Sequence, residues 1–391
     1  MAMEHTSLII NIGSASKKYA LYEEAREVAR YHFEHENDHA IVTERYEGVE
    51  TQTAIEAQEY HESTIYVMQR LAAHSPRHSI STIGIRVVAP GAYFYAPQRI
   101  TYAYKERMRA VAEVAPLHIV PTLEELLKLD STFPHTPVIG VSDSAFHRTI
   151  PTRARFYAIP HTTAEKFDIE RFGYHGISMQ SIVRSLHTLS EPIPRRTIVC
   201  HLGSGSSITA LQDGISIDTS MGFTPLEGVP MATRVGTIDP GALLYLMKKL
   251  NLSLTDLDTY LNTECGLGGL SGISADIRTL IAYAESGDQN ADNALATFAY
   301  HVQMYIGAYA AILGGIDLLV FTATIGERSS SMRARILHGL EHMGLVLDQK
   351  KNDITRETLS FIHTQDSPAH IAVVPTNEMK EIALTIHALP S

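Results

Sequence analysis

Short apolar runs alternate with longer amphipathic stretches along most of this chain. The short runs are rich in Ile and Val and end at Gly, Pro or Asp, which is typical of strands; they lie at 7–12, 18–23, 82–88, 137–141, 197–202, 206–211, 316–322 and 370–374. Between them, apolar residues recur with helical spacing, most clearly at 54–73, 104–113, 121–129, 177–188, 240–250, 289–314, 331–343 and 377–388. Strands interleaved with helices predict an α/β chain with mixed sheets.

One pattern occurs twice. "LIINIGSASKKYALYE" at 8–23 and "TIVCHLGSGSSITALQDG" at 197–214 each have an apolar run, a glycine-serine loop and a second run with alternating apolar positions. Aligning the first loop glycines superimposes three pairs of residues: Gly13 on Gly203, Ser14 on Ser204, and Ser16 on Ser206. A strand, turn and strand that occur twice indicate a duplicated domain.

The length of 391 residues favours two domains. The best internal boundary lies near "RTIPTRARFYAIP" at 148–160, where two prolines flank an extended stretch. The segment from 371 again has the pattern of a strand followed by a helix. We therefore expect a first domain at 1–150 that is completed by 371–391, a second domain at 151–370, and a cleft between them.

Charge and cysteine content narrow the class of protein. The formal net charge of −11 comes without a cluster of Lys or Arg, which argues against a nucleic-acid or anionic-membrane partner. Cys200 and Cys265 are the only cysteines and lack metal-ligand spacing, so we expect a reduced, cytoplasmic setting. No apolar run has the length of a signal peptide core or a transmembrane helix.

Candidate chemistry begins at the two glycine-serine loops. One such loop alone is usually a plain connection between strands. Two copies at homologous places favour phosphate, because glycines let backbone N–H groups approach an anion and serines add hydroxyl donors. The segment 218–241, "DTSMGFTPLEGVPMATRVGTIDPG", has several Gly- or Pro-bounded turns, a composition typical of a loop that lines a site.

Three residues in or near these segments have competing interpretations. Arg234 is either a solvated surface cation or a ligand-binding residue that donates two hydrogen bonds to a phosphoryl or carboxylate group. Asp143, at the end of an apolar run, is either a helix cap or a functional carboxylate. His175, between Gly173 and Gly176, is either a packed loop histidine or a functional one. Their occurrence together with two phosphate-type loops favours the functional interpretation.

The ordered motifs "NIGSASKK", "IRVVAPG", "PLH", "SDSAFH", "RFGYHGIS", "HLGSGSS", "DTSMGFTPLEGVPMATRVGTIDP", "LSGISADIR", "FTATIGERS" and "PTNE" make a more specific case. Together they resemble the acetate kinase family of short-chain acyl phosphotransferases, nearly from end to end. The resemblance implies the sugar kinase, Hsp70 and actin fold, in which two duplicated ribonuclease H-like domains close on a nucleotide. Each domain would contribute one hairpin whose turn faces the phosphates. A homodimer that forms through the second domain is also implied.

The resemblance implies roles for individual residues. Arg86 and Arg234 would hold the substrate carboxyl and the moving phosphoryl group, while His175 would donate to that group in the transition state. Asp143 would organise an arginine or the metal, because a carboxylate acceptor is already anionic and needs no general base. Two residues match positions around Mg²⁺, with Mn²⁺ as the alternative: Asn11 and Glu378. The implied nucleotide-binding set is Ser14, Ser16, Lys18, His201, Gly203, Ser204, Gly205, Asp276, Ile277, Arg278, Thr324, Ile325 and Gly326.

The implied reaction is the reversible, in-line transfer of a phosphoryl group from ATP to acetate, giving acetyl phosphate and ADP. The family's acyl pocket corresponds to Val88, Leu117, Tyr174 and Pro225, whose bulk favours a short acyl chain. If Tyr174 is buried, its hydroxyl needs a partner. Two alternatives stay open. One is a propionate or butyrate kinase, since one methylene is worth only about 1–3 kcal/mol, and the other is a nucleotide-binding sensor with weak turnover.

Several residues depart from the family pattern, although the residues of catalytic type are retained: Arg86, Asp143, His175, Arg234 and Glu378. Ser204 and Arg328 stand where the family commonly has Asn, and Thr324 stands where it has Gly. The segment "FTATIGERSS" predicts a strand, a glycine loop and then a helix capped by Ser329 or Ser330. The remaining substitutions are at Ala15, Ile85, Ala89, Pro90, Ile119 and Met179. These departures predict altered phosphate and adenine contacts rather than lost chemistry.

Overall fold

The computed structural model describes residues 6–13, 16–36, 39–74, 79–189 and 192–389. The chain forms two compact units: Met1–Ala145 with Asn377–Ser391, and Phe146–Thr376. Each unit contains one sheet and its own helices. Within the described ranges, no helix combines the length and the apolar character needed to cross a membrane.

The first unit is built on an eight-stranded sheet. Its strands are β1 (Thr6–Ile12), β2 (Ser16–Glu23), β3 (Arg26–Glu36), β4 (His39–Tyr46), β5 (Val49–Ile55), β6 (Thr82–Val87), β7 (Gln98–Arg99) and β8 (Val138–Ser142). Its first four helices are α1 (Ala57–His61), α2 (Ser63–His74), α3 (Tyr102–Ala110) and α4 (Pro116–Thr132). The strand order is β5-β4-β3-β2-β1-β6-β8-β7. Strands β1 to β5 form an antiparallel meander, and β6 and β8 run parallel to β1.

The second unit is built on a six-stranded sheet. Its strands are β9 (Arg196–Leu202), β10 (Ser206–Gln212), β11 (Ile215–Thr219), β12 (Leu318–Thr322), β13 (Ser360–Phe361) and β14 (His370–Val373). Its helices are α5 (Thr152–Arg155), α6 (His161–Phe167), α7 (Gly176–Leu189), α8 (Pro240–Leu250), α9 (Leu254–Thr263), α10 (Gly266–Ser271), α11 (Ile277–Glu285), α12 (Gln289–Leu313), α13 (Ala323–Arg328), α14 (Ser330–Leu337) and α15 (Gln349–Ile354). The last helix of the chain, α16 (Glu378–His387), belongs to the first unit.

The two sheets share one topology, so the repeat in the sequence is a repeat in the fold. In the second sheet the order is β11-β10-β9-β12-β14-β13, which matches β3-β2-β1-β6-β8-β7 of the first. The hairpin and third strand are antiparallel, the next two strands are parallel to the first strand, and the edge strand is antiparallel in both sheets. Strands β4 and β5 extend only the first sheet. The predicted duplication is therefore confirmed.

Each sheet is stabilised by burial of the apolar side chains that made its strands recognisable. In the second unit, Phe298, Val302 and Ile306 of α12 pack on one face of the sheet, and Met179 and Ile182 of α7 lie in the cluster on the other face. A sheet that is covered on both faces needs strands that are apolar throughout, as β12 is. Helix α12 is therefore a core helix along this face.

Close packing of α16 on the first sheet depends on one glycine. A Cβ atom at Gly84 would lie 2.9 Å from Ile382 Cγ2 and 3.1 Å from Ile386 Cδ1. The missing side chain in β6 lets α16 approach the sheet. This approach sets the position of Glu378, the first residue of the helix.

Most predicted elements occur, with differences at meanders and helix ends. The predicted strands omit β3, β4 and β11, whose polar alternation suits strands that are open to solvent on one side, and β5, which is exposed except at its last residue. The predicted helix at 54–73 is wrong at its start, because β5 ends at Ile55 and two helices follow. The predicted helix at 331–343 ends at Leu337, and a separate 3₁₀ turn follows at Glu341–Met343.

The unit boundaries differ from the predicted ones. Strand β14, expected to complete the first domain, pairs with β12 in the second sheet. Only the chain from Asn377 onward belongs to the first unit. The predicted strand and helix both occur, as β14 and α16. The apolar periodicity of a strand does not specify the sheet in which that strand pairs.

Candidate active site

Four polar residues of the first unit meet at the carboxyl ends of its parallel strands. Asn11 lies near the end of β1, Arg86 lies on β6, and Asp143 follows β8. Asn11 Nδ2 donates to Glu378 Oε2 at 2.8 Å, and Arg86 Nη1 donates to Asn11 Oδ1 at 3.1 Å. Arg86 Nη2 donates to Asp143 Oδ2 at 2.7 Å. The structure thus brings together two predicted catalytic residues and both predicted metal-site residues.

This first-unit cluster contains a buried ion pair. The side chain of Asp143 is fully buried, and that of Arg86 is 11% exposed. Burial by itself would lower the pKa of Arg86, but the charges of Asp143 and Glu378 raise it above its ordinary value. Asp143 Oδ2 accepts from the guanidinium of Arg86, which is the contact that the expected organising role requires.

The second unit holds its histidine in an unusual backbone conformation. His175 precedes α7 with φ of 61°, a left-handed value that is uncommon outside glycine. Its Nδ1 lies 2.9 Å from Ser207 Oγ. Its ring stacks on that of His201 with centroids 4.0 Å apart, and His201 Nδ1 lies 2.8 Å from Ser178 Oγ. His175 is therefore held on one face of its ring by His201 and along one edge by Ser207.

The second glycine-serine loop lies directly against this histidine and against Arg234. A Cβ atom at Gly205 would be 3.3 Å from His175 Nε2 and 3.7 Å from Arg234 Nη1. Arg234 Nη1 also donates to the Pro225 carbonyl at 3.3 Å. Only 8% of Arg234 is exposed, which rules out the surface-cation interpretation. Three predicted groups, the loop backbone, the imidazole and the guanidinium, therefore converge in one unit.

Backbone contacts hold the turn that presents Arg234. The Met231 amide donates to the Arg234 carbonyl at 3.0 Å, which closes the turn. The Leu267 and Gly268 amides at the start of α10 donate to the Met231 and Ala232 carbonyls at 2.8 and 2.9 Å. The short, glycine-rich helix α10 thus anchors the turn.

Sequence reasoning missed the residues that brace the loop 218–241 from the other side. Arg171 donates to the carbonyls of Thr219, Ser220 and Met221, and its Nη2 donates to Glu227 Oε1 at 2.7 Å. The Tyr157 hydroxyl also donates to Glu227. Burial would lower the pKa of Arg171, but Glu227 and Tyr157 raise it. The only signal in the sequence was the charged residue Glu227 inside a loop rich in turns. No residue near it in the chain indicates that Arg171 is its partner.

The predicted acyl-pocket residues are divided between the units. Val88 and Leu117 belong to the first unit, where Val88 is buried and Leu117 is 37% exposed. Tyr174 and Pro225 belong to the second and are both buried. The Tyr174 hydroxyl donates to the Phe223 carbonyl at 2.7 Å. The expected need for a hydroxyl partner is met by the same loop that carries Pro225.

The predicted nucleotide segment around Thr324 is helical, so the expected glycine loop is wrong. Strand β12 leads directly into α13, with Ala323 at φ of 63° making the corner. Thr324 is exposed in the first turn, while Gly326 packs toward strand backbone, where a Cβ atom would lie 3.3 Å from the Phe321 carbonyl carbon. Ser329 caps α14 by accepting from the Met332 amide, as the simpler interpretation held.

Two further residues fix α13, and the sequence analysis identified neither. Glu327 Oε1 accepts from the Ala323 and Thr376 amides at 2.8 and 3.1 Å. Burial raises the pKa of Glu327. Arg333 is fully buried and donates to the Gly326 and Glu327 carbonyls at 2.8 and 2.9 Å. Burial lowers the pKa of Arg333 to about 10.

The other predicted nucleotide residues have local structural roles. Asp276 is the N-cap of α11 and accepts from the Arg278 amide and side chain. The side chain of Ile277 lies in the hydrophobic core, so it is not presented to a ligand. The pairing of β1 with β2 places Lys18 opposite Asn11. Ser14 lies outside the described residues.

The two glycine-serine loops differ in length by one residue. Ile12 pairs with Lys17 across the first loop, whereas Leu202 pairs with Ser206 across the second. Aligning the sequences by their glycines therefore misassigned Ser16 as the equivalent of Ser206. In the first loop the Gly13 amide donates to the Ser16 carbonyl at 2.9 Å, and in the second the Gly203 amide donates to the Gly205 carbonyl at 3.1 Å.

The residues of the first-unit cluster fit a divalent cation whose other ligands are water molecules and phosphate oxygens. Glu378 supplies carboxylate oxygens, and Asn11 Oδ1 is engaged by Arg86. Among the described residues, no group of three or more His, Cys, Asp or Glu side chains is arranged to hold a metal. A site with so few protein oxygens agrees with a divalent cation that retains waters and binds phosphate oxygens.

Two ribonuclease H-like sheets, a phosphate-type loop beside a histidine and an arginine, and a buried charged cluster define a phosphotransferase of the sugar kinase, Hsp70 and actin class. The acetokinase family model matches residues 6–384, and the chain belongs to this family. It is 40% identical over 387 residues to the acetate kinase of Methanosarcina barkeri, covering 96% of this chain and 95% of that protein.

Solved structures agree with this assignment. The chain superimposes on a propionate kinase from Francisella tularensis with a TM-score of 0.89 at 33% identity, covering 97% of this chain and 98% of that one. The acetate kinase of Porphyromonas gingivalis gives a TM-score of 0.84 at 30% identity, again covering 97% and 98%. The fold expected from the resemblance, with two duplicated domains, is confirmed.

Proposed function

We propose that this protein catalyses the ATP-dependent phosphorylation of acetate, giving acetyl phosphate and ADP, and the reverse reaction. The proposal rests on the convergence of His175, Arg234 and the Gly205 backbone in a member of the acetokinase family. Such a group of donors suits a phosphoryl group whose equatorial oxygens carry charge in the transition state. Membership of a carboxyl-group phosphotransferase family selects the acceptor.

The reaction is a direct displacement at phosphorus. A carboxylate oxygen of acetate attacks the γ-phosphorus of ATP and forms a new P–O bond, while the bond between the γ-phosphorus and the bridging oxygen of ADP breaks. No proton moves, because the acceptor is already ionised at neutral pH. The protein therefore has to position groups and stabilise charge rather than to supply a general base.

Each charged group then has one task. Arg234 and His175 donate to the moving phosphoryl group, and the Gly203–Gly205 loop adds backbone donors. Arg86 binds the substrate carboxylate, with its guanidinium oriented by Asp143 at 2.7 Å. A planar fork that is held by a buried carboxylate presents its remaining N–H groups in one direction, which favours bidentate recognition.

Asn11 and Glu378 would hold Mg²⁺, or Mn²⁺ in its place. The ion would neutralise phosphate charge when the nucleotide is bound. The raised pKa of Arg86 keeps a positive charge beside these oxygen donors. That charge limits the site to a cation whose own phosphate ligands compensate for the repulsion.

Nucleotide contacts are proposed for the second glycine-serine loop and for the segments at Asp276 and Thr324. Tyr174 and Pro225, with Val88 and Leu117, are proposed to limit the acyl group to a short chain. We also propose a homodimer that forms through the second unit, because α8 and α12 expose large apolar side chains: Leu244, Tyr245, Tyr300, Met304 and Ile312. A cytoplasmic location agrees with two free cysteines.

The decisive experiment traps acyl phosphate with hydroxylamine in reactions that contain ATP, Mg²⁺ and acetate, propionate or butyrate. We expect the highest kcat/KM with acetate and no product without a divalent cation. Product with propionate or butyrate only would make this a longer-chain acyl kinase. Calorimetric binding of ADP without any product would contradict the proposal and favour a nucleotide-binding sensor.

A further inference from the structure

Two residues of the segment Gly173–His175 adopt left-handed backbone conformations, which glycine tolerates and histidine does not favour. Gly173 has φ of 70° and His175 has φ of 61°. For a histidine, the left-handed region costs energy and persists only when surrounding contacts impose it. The contacts that impose this conformation must therefore be sought outside the segment.

His147 supplies such a contact. It lies in a 3₁₀ turn, Ala145–Thr149, and is fully buried. Its Nε2 lies 3.0 Å from the Tyr174 carbonyl oxygen, which belongs to the peptide that enters His175. Its ring also lies against Gly173, where a Cβ atom would be 2.9 Å from His147 Cδ2. One imidazole therefore contacts the backbone before Tyr174, at Gly173, and after it, at the Tyr174 carbonyl.

In the neutral ring, the hydrogen bonds of His147 select one tautomer. A carbonyl oxygen only accepts, so Nε2 carries the proton. Nδ1 lies 2.8 Å from Ser216 Oγ, and in this tautomer the serine hydroxyl donates to it. Ser216 is a fully buried residue of β11, and its carbonyl accepts from Thr149 Oγ1 at 2.8 Å. The ring is thus tied to the sheet on one edge and to Tyr174 on the other.

We propose that His147 is a positioning residue for the phosphotransferase site, acting through the Tyr174 carbonyl to hold His175 in its left-handed conformation. His147 touches no reacting atom in this role. Its effect is to aim the His175 ring, whose Nε2 faces the Gly205 backbone, at the phosphoryl group. The expected loss of kcat rests on the proposed function. The expected effect on the conformation of His175 rests on geometry alone.

Kinetic tests compare two substitutions of His147. His147→Leu fills the space but removes both hydrogen bonds, and misplacing a group by about 1 Å is expected to lower kcat by roughly 10- to 100-fold. KM for acetate and for ATP should change by less than about threefold, because binding groups are not altered. His147→Gln offers an amide N–H at the distance of Nε2 along the side chain, so it should recover part of kcat.

Thr149→Val is the matched control. It breaks the hydrogen bond to the Ser216 carbonyl in the same turn but leaves both His147 hydrogen bonds in place. We expect a lower melting temperature with nearly unchanged kcat. Equal losses of kcat in Thr149→Val and His147→Leu at matched stability would reduce His147 to a packing residue. Near-normal kcat in folded His147→Leu would also overturn the proposal. Where the leucine variant does not fold, near-normal kcat in folded His147→Asn, whose shorter side chain does not reach the Tyr174 carbonyl, would do the same.

A readout without turnover separates this inference from the proposed function. Side-chain ¹H–¹⁵N correlations of His175 should shift in His147→Leu, return toward the parent in His147→Gln, and stay in place in Thr149→Val. An inactive parent protein with this pattern would refute the acyl kinase proposal but support the positioning role. Unmoved His175 correlations in His147→Leu would refute the positioning role, whatever the activity.

Discussion

The ends of the two sheets present different chemistry from the same backbone positions. Asn11 and His201 each lie two residues before the first loop glycine. Arg86 and Thr322 hold equivalent places on the next strand, since Ile10 pairs with Ile85 and Cys200 pairs with Phe321. The first sheet end carries a buried ion pair, and the second carries a stacked pair of imidazoles.

The buried carboxylates differ in the same way. Asp143, beyond β8, accepts from the guanidinium of Arg86. Glu327, next to the end of β12, accepts from the amides of Ala323 and Thr376, and no salt bridge joins it to a cation within the described residues. The duplicated backbone determines where polar side chains can lie close together. The side chains themselves decide whether they form an ion pair or bind the backbone amides of a helix. The following predictions test this difference, from the largest expected effect to the smallest.

Arg234→Ala should lower kcat by about 10²–10⁴-fold, because the phosphoryl group loses a preorganised donor as charge redistributes. ADP binding, measured by calorimetry, should change little. Arg234→Lys should recover only part of the loss, since a point charge lacks the planar fork. Arg195→Ala removes an exposed arginine of the same unit and should leave kcat unchanged. A folded Arg234→Ala protein with nearly normal kcat would remove this residue from the mechanism.

Asp143→Asn should destabilise the first unit far more than Glu327→Gln destabilises the second. Breaking a buried ion pair typically costs about 3–5 kcal/mol, because one charge remains without its partner. Glu327→Gln keeps an acceptor for the amides, so we expect a loss of only about 1 kcal/mol. Denaturant unfolding of both variants measures the contrast. Similar losses of unfolding free energy would mean that the ion pair of Asp143 contributes no more to stability than the amide contacts of Glu327.

Gly205→Ala compares the two loops. The added methyl group would press on His175 Nε2 at 3.3 Å and on Arg234 Nη1 at 3.7 Å, so kcat should fall by about 10-fold with the melting temperature nearly unchanged. At Gly13, within the described residues, an added Cβ would meet only the Ser16 carbonyl oxygen, at 3.3 Å. Gly13→Ala should therefore affect kcat less. A larger loss at Gly13 would place the critical loop in the first unit.

The smallest expected effect is a pH dependence of stability from Glu327. Burial raises its pKa in the folded protein, so folding takes up a proton between the unfolded and folded pKa values. The resulting stability is fully present below the unfolded pKa of about 4.5 and is lost as pH rises through the folded value. Glu327→Gln should lack this component of the unfolding free energy. Identical pH profiles for the parent and the variant would show that the carboxylate is solvated.

Much of the fold was predictable, because apolar periodicity reports burial directly. The strands of both hairpins and the long helix α12 were found for that reason. Strand β14 was found too, but its sheet was misassigned, because pairing depends on residues far away in the chain. The helix α13 was missed, since its corner at Ala323 and its buried Glu327 acceptor exist only in the folded unit.

The sequence by itself determined the duplication and the family and predicted the catalytic-type residues, because ordered motifs and repeated apolar patterns are properties of the chain. Only the tertiary structure decided the partner of Asp143, which is a guanidinium that lies 57 residues away in the chain. It likewise decided that His201 stacks on His175 and that His147 holds the Tyr174 carbonyl. Hydrogen bonds act over about 3 Å in space, a distance that positions along the sequence do not specify.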